Sequence, residues 1–229
     1  MGVETLIGLK QSRMLLDVSL WSGNLVNLAQ SIEETENLTD CYHLDVSDAH
    51  YVPSLLFFPD LIKAIDGQTE KPLHVHLMMT DPLDHLETFV EAGADIISLH
   101  VDQGEERLLK AADYLAARGV TLGLVLRVED DVASVLPYLK HIGLILVMGT
   151  RIGIKGASLE ESTPTRIKTL KELMAVHDAA DRIILSADGG IREHTVAELR
   201  GAGADMVTPG SLMFGSPDMQ QTVDWLHSL

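Results

Sequence analysis

The chain has 229 residues, 46% apolar and 4% aromatic, with 34 acidic against 17 basic side chains and a formal net charge of −17. That composition supports a full core of aliphatic layers and argues against nucleic acid or an anionic membrane as partner, although a small anion held by backbone N–H groups remains compatible with it. A single cysteine, Cys41, excludes an intrachain disulfide and a cysteine-rich zinc site, and no apolar run approaches the length of a membrane span, so a cytoplasmic protein is expected.

In chain order, the pattern predicts a strand over Met14 to Leu20, then a Ser22-Gly23-Asn24 turn and a helix with apolar spacing at Leu25, Val26, Leu28 and Ile32. A buried strand follows at Cys41 to Ser47, then a loop with Pro53 and a short helix near Asp60 to Ile65. Leu73 to Met79 is the next strand, and Asp81-Pro82 opens a helix with Leu83, Leu86, Phe89 and Val90 as its buried stripe. Ala92-Gly93-Ala94-Asp95 leads into a strand at Ile96 to His100, and the same word returns as Ala202-Gly203-Ala204-Asp205 before Met206-Val207-Thr208. Between them lie helices over Glu105 to Arg118, Asp131 to Lys140, Pro164 to Ala180 and Arg192 to Ala202. Alternating with these are strands at Val120 to Leu126, Leu144 to Met148 and Ile183 to Ala187.

Strict βα alternation with near-continuous apolar strands calls for a parallel sheet covered by helices. About eight such units without an internal linker match one closed (β/α)₈ TIM barrel over 1–229, with an open doubly wound sheet as the alternative. No Gly-x-Gly-x-x-Gly follows the first strand, which removes the main sign of a dinucleotide fold.

In a barrel, chemistry gathers at the C-terminal strand ends. Here those ends carry Ser19, then His43, Asp45 and Asp48, then His74 and His76, then His100, Met148, Asp188 and Gly210-Ser211. On a strand, His43 and Asp45 project to one face while Tyr42, Leu44 and Val46 project to the other. Two imidazoles and two carboxylates, His43, Asp45, His76 and Asp188, suit one divalent ion such as Zn²⁺, Fe²⁺, Mn²⁺ or Co²⁺. The turns Asp188-Gly189-Gly190-Ile191 and Thr208-Pro209-Gly210-Ser211 follow the last two strands, where this fold commonly holds phosphate.

The words His43-Leu44-Asp45-Val46-Ser47-Asp48-Ala49-His50-Tyr51-Val52-Pro53, His76-Leu77-Met78, Ala92-Gly93-Ala94-Asp95, Asp188-Gly189-Gly190-Ile191 and Gly210-Ser211-Leu212-Met213-Phe214 recur in this order along the chain. Together they make it resemble the ribulose-phosphate 3-epimerase family from about Val18 to Phe214. The resemblance implies metal ligation by His43, Asp45, His76 and Asp188, and C3 proton transfer on a phosphorylated ketose by Asp45 and Asp188. It also implies substrate contacts from Ser19, His76, Met78 and Met148, and phosphate contacts from Gly189, Gly190, Gly210 and Ser211. A homo-oligomer is the expected assembly, and Leu55-Leu56-Phe57-Phe58 is either a contact surface or the core of a helix.

Several positions depart from the family pattern. Ser47 and Ala49 stand where methionine and glycine are usual, and His74 where an aspartate commonly precedes the His-Leu-Met word by two residues. The Pro-Gly-Phe-Gly-Gly-Gln loop becomes Ile152-Gly153-Ile154-Lys155-Gly156-Ala157, so Gly153, Lys155 and Gly156 are expected at the substrate, with Arg151 as further charge. These changes leave the sugar open: D-ribulose 5-phosphate by default, allulose 6-phosphate or a tetrulose phosphate as alternatives. A barrel aldolase or decarboxylase needs a lysine that the candidate strands lack; a non-catalytic phosphometabolite-binding barrel is the third reading.

Overall fold

The computed structural model describes residues 3–229; residues 1 and 2, counted in the expected barrel, lie outside the described residues. Eight parallel strands close in sequence order: β1 (Leu15–Ser19), β2 (Cys41–Ser47), β3 (Leu73–Met78), β4 (Ile96–His100), β5 (Thr121–Leu126), β6 (Leu144–Met148), β7 (Ile184–Asp188) and β8 (Met206–Thr208), with β8 pairing back onto β1. The helices are α1 (Val3–Leu9), α2 (Leu28–Thr35), α3 (Pro59–Asp66), α4 (Leu86–Glu91), α5 (Glu105–Ala116), α6 (Thr163–Val176), α7 (Glu193–Ala202), α8 (Ser211–Phe214) and α9 (Met219–Ser228). Among the described residues, none of these helices is long and apolar enough to cross a membrane.

Period-2 alternation divides the apolar residues into two bodies. Outward residues such as Leu16, Val18, Tyr42, Leu44, Val75 and Leu185 pack beneath the helices, while Leu15, Cys41, Ile96, Val125, Leu144, Leu146, Ile184 and Met206 fill the lumen. Leu6 of α1 joins the lumen cluster and closes the barrel's lower end. Lys10, just after α1, is buried there and donates to the carbonyls of Ala180 and Ile183, both at 2.6 Å.

The repeated Ala-Gly-Ala-Asp words are helix-to-strand turns. Gly93 and Gly203 sit at φ +99° and +112°, where a side chain would be strained, and each caps its helix through backbone N–H bonds to Val90 and Arg200. Asp95 then accepts the N–H of Leu73 at 2.8 Å and Asp205 that of Leu185 at 3.0 Å, each tying its strand to the one before. Asp40 does the same for Leu16 at 2.9 Å, and also binds Arg13. These aspartates serve register, not chemistry.

Four expectations need correction. The segment after β5 is a 3-10 helix over Val132–Tyr138 rather than an α-helix to Lys140, because Pro137 lies inside it and cannot donate a backbone hydrogen bond. The helix opened by Asp81-Pro82 begins as a 3-10 turn, Pro82–His85, and only Leu86 and Phe89 of the expected stripe are fully buried. Leu25 and Val26 are exposed and precede α2, which starts where the Asn27 side chain caps Gln30 N–H. Leu55 to Phe58 forms no helix: Phe57 is buried while Leu55 and Phe58 are exposed. The sequence pattern also left α1, α8 and α9 unassigned.

Candidate active site

A cavity of about 370 Å³ opens at the C-terminal ends of the strands. It is lined by Ser19, Asp45, Met78, Met148, Asp188 and Thr208 from the strands. Gly153, Lys155 and Gly156 line it from the loop after β6, and Gly189, Gly190, Gly210 and Ser211 from the turns after β7 and β8. His43 and His76 lie below this lining, fully buried. Trp21, Thr150 and Arg192 also border the cavity without having been singled out from the sequence.

Register brings the polar groups together. Asp45 lies opposite His76 across β2–β3, Ser19 opposite His43 across β1–β2, and Asp188 opposite Met148 and Thr208. His43, Asp45, His76 and Asp188 offer one ligand atom each, all within 4.8 Å of one another. Asp45 Oδ1 is 3.2 Å from His43 Nε2 and 3.3 Å from His76 Nδ1, and its Oδ2 accepts the Ser19 hydroxyl at 3.3 Å. Asp188 Oδ2 is 3.9 Å from His43 Nε2. His100 stands behind His76, with their Nε2 atoms 2.9 Å apart.

Below this ring lies a group the sequence reading missed. Asp17, on β1, is fully buried; its Oδ2 is 2.8 Å from His43 Nδ1 and 2.6 Å from His74 Nδ1, while Cys41 Sγ–H donates to Oδ1 at 3.1 Å. His74 does not reach the cavity: its Nε2 meets the Ser98 hydroxyl at 2.7 Å inside the lumen. The available signal was a charged residue in the apolar strand Leu-Leu-Asp-Val-Ser, two positions before Ser19 and therefore on the same inward face. Asp48, grouped with the strand-end chemistry, instead holds a loop by accepting the N–H groups of His50, Tyr51 and Thr80, which draw it down to about 2 against the opposing effect of burial.

The electrostatics separate the two cavity carboxylates. Burial alone raises Asp45, but His43 and then His76 outweigh it and hold Asp45 well below the usual carboxylate range. Asp188 is pushed up to about 6, chiefly by burial, against the pull of His43 and with repulsion from Asp45 added. Burial lowers His43, yet Asp17 and Asp45 more than reverse this and place it well above an ordinary histidine. His76 and His100 are both depressed, first by burial.

These groups fit a divalent cation. Asp17 lies far below its usual range and so is an acceptor only, which puts protons on the facing Nδ1 atoms of His43 and His74. His43 Nε2 then faces carboxylate oxygens of Asp45 and Asp188, an arrangement that needs either a proton or a cation between them. Two nitrogens and two carboxylates are a donor set for a borderline divalent metal.

The loop after β6 is clasped over the cavity. Gly149 N–H donates to Asp188 carbonyl at 2.6 Å, and Glu160 N–H to Gly149 carbonyl at 2.7 Å. Lys155 Nζ donates to the Trp21 carbonyl at 2.8 Å, joining that loop to the segment after β1, while Arg151 is an exposed lining residue.

Known proteins resemble this chain in sequence and in fold. A ribulose-phosphate 3-epimerase of Helicobacter pylori (strain J99) is 30% identical over 211 residues, covering 92% of this chain and 95% of that protein. One of Bacillus subtilis (strain 168) is 30% identical over 206 residues, covering 90% and 94%. Among solved structures, the 3-hexulose-6-phosphate synthase of Salmonella typhimurium superposes with a TM-score of 0.65 at 16% identity, covering 94% of this chain and 97% of that one, a likeness of fold alone. The sequence profile of the ribulose-phosphate 3 epimerase family matches residues 15–214, so the chain belongs to that family and is an isomerase of the carbohydrate-epimerase class.

Proposed function

We propose that the chain is a metal-dependent ketose-phosphate 3-epimerase, with D-ribulose 5-phosphate as its first substrate to test. One observation carries the reading. Two carboxylates, Asp45 and Asp188, and two histidines, His43 and His76, bring one ligand atom each within 4.8 Å of one another at the cavity floor.

Epimerisation at C3 of a 2-ketose needs a base on one face of the planar carbon and an acid on the other. The two must begin in different protonation states. Asp45 on β2 and Asp188 on β7 both line the cavity and are placed to flank that plane, one taking the proton and the other returning one. For the opposite epimer the two exchange roles. His43, Asp45, His76 and Asp188 would hold the divalent ion, Zn²⁺, Fe²⁺, Mn²⁺ or Co²⁺, which when bound supplies Lewis-acid stabilisation of charge at the C2 and C3 oxygens. Ser19, bonded to Asp45, orients that carboxylate at the cavity wall, and Met78 and Met148 present a non-titrating surface to the reacting carbons. The turns at Gly189-Gly190 and Gly210-Ser211 take the phosphate at the far wall through backbone N–H groups.

Gly153, Lys155 and Gly156 close the sugar's side of the cavity, and the cationic pair Arg151 and Lys155 favours testing a longer or shorter ketose phosphate as well. An aldolase or decarboxylase chemistry that uses a lysine at the floor is disfavoured. Among the described residues lining the cavity, the lysine is Lys155, on the loop and bound to Trp21.

The test is ¹H NMR in D₂O of a panel of pentulose, hexulose and tetrulose phosphates with each of the four metals. The expected result is loss of the C3 proton signal with appearance of the epimer for one sugar, abolished by chelator. No exchange with any sugar and metal sinks the proposal.

A further inference from the structure

His43 is the only histidine of the four-residue cluster whose second ring nitrogen faces a carboxylate outside that cluster. Its Nδ1 lies 2.8 Å from Asp17 Oδ2, while its Nε2 faces the cavity carboxylates. The same Asp17 oxygen meets His74 Nδ1 at 2.6 Å and lies 3.5 Å from the Thr208 hydroxyl, and the other oxygen accepts the Cys41 thiol. Both rings point Nδ1 at one oxygen, so the 3.3 Å approach between those two nitrogens follows from sharing an acceptor and is not a hydrogen bond between them. The Ser98 hydroxyl completes His74 at Nε2, which gives that ring a full complement of partners without any reach to the cavity.

We infer that Asp17 is the positioning residue of the site: it fixes the ring of His43 so that Nε2 faces the cavity, and His74 serves to hold Asp17 in place. The inference rests on the metal-dependent reading above. His43 has two inward flanks, one from β1 and one from β3. Position 74 pairs directly with His43 across β2–β3, and Asp17 pairs with Cys41, one inward step below it, across β1–β2. A carboxylate can reach Nδ1 from either flank. In this chain it comes from β1, and the β3 flank carries a second imidazole that bonds to the same oxygen. A hydrogen-bonded carboxylate behind a ligating histidine fixes its tautomer and ring orientation, and losing such a partner typically lowers metal affinity about 10- to 100-fold.

The experiment measures Zn²⁺ and Co²⁺ binding to the chelator-stripped full chain, by calorimetry and by the visible absorption of bound Co²⁺. Asp17→Asn is expected to bind about 10- to 100-fold more weakly and to change the Co²⁺ band, since the neutral amide no longer demands a proton on His43 Nδ1. The double variant Asp17→Ala with His74→Asp, which moves the carboxylate to the other flank, is expected to recover affinity to within about threefold of wild type, a deficit well short of that loss of about 10- to 100-fold. Cys41→Ala removes the thiol donor to Asp17 Oδ1 but no partner of His43 and not the oxygen that faces it, and should bind as wild type. Wild-type affinity and spectrum in Asp17→Asn, or a loss in Cys41→Ala as large as in Asp17→Asn, overturns the inference while leaving the metal reading intact. If Asp17→Asn does not fold, the double variant decides: recovered binding supports the role and lost binding overturns it. A wild type that takes up neither ion overturns the metal reading, and the positioning role with it.

Discussion

Replacing Asp188 by asparagine should make the protein more stable while removing its activity. Asp188 is mostly buried, and among the described residues none donates a hydrogen bond to its carboxylate; its nearest cation is His43 at 3.9 Å, and it shares the floor with Asp45. Its ordinary value is 3.8 and it is pushed up to about 6, a gap of about 3 kcal/mol against the ionised form in the fold. The sign follows from proton counting. Between pH 4 and 6 the folded protein keeps a proton that the unfolded chain has released, so stability falls as pH rises through that window. An amide does not titrate. In chelator, the advantage of Asp188→Asn should grow from near zero at pH 4 to about 2–3 kcal/mol at pH 7, a melting-point gain of roughly 5–10 °C for a chain of this length. Urea unfolding and thermal melts at pH 4, 5.5 and 7 measure it. An equal or lower stability at pH 7, or a gain that does not change with pH, would refute the assignment of Asp188 as a strained carboxylate.

Two other perturbations probe the frame and the anion wall. Lys10→Met keeps most of the buried stem but strips the donor from the carbonyls of Ala180 and Ile183; a loss of about 2–4 kcal/mol in urea unfolding is expected, with unchanged m-value, and a loss under about 0.5 kcal/mol means those carbonyls find other partners. Gly190 sits at φ +72°, where an added Cβ would lie 2.8 Å from the Leu159 backbone, so Gly190→Ala strains the turn by about 1–2 kcal/mol and displaces the loop over the cavity. Steady-state kinetics should show a KM raised about tenfold with kcat changed less; an unchanged KM removes this turn from phosphate binding.

Much of the barrel was legible because its signals are local. Apolar runs alternate with helical spacing, and the period of two in His43-Leu44-Asp45 and His74-Val75-His76 puts the ionisable groups on the lumen side without knowledge of the partner strands. What was not legible depends on pairs distant in sequence. Asp17 meets His74 across 57 residues, and only closure of the barrel makes it part of the site. His74 read as a strand-end group because its face was right, but it lies near the start of β3, one inward step below His76, and meets Ser98 inside the lumen instead of the cavity. The 3-10 helix at Val132–Tyr138 was misread because apolar spacing outweighed one proline. Helix α1 was missed because its apolar residues serve as a floor for the lumen rather than as a stripe against the sheet.

That floor has a kinetic consequence. With Leu6 closing the lower end, the rings of His43 and His74 are fully buried and their Nδ1 atoms face Asp17 rather than the cavity, so exchange of the Nδ1–H protons is expected to follow opening of the strand ring. Their exchange times would therefore act as an internal clock for breathing of the whole strand ring, independent of the fast proton traffic expected at the cavity. Slow, low-field imidazole resonances that persist for hours in D₂O, while the substrate's C3 position exchanges within seconds, would separate the two ends of one lumen into a still reservoir and a working face.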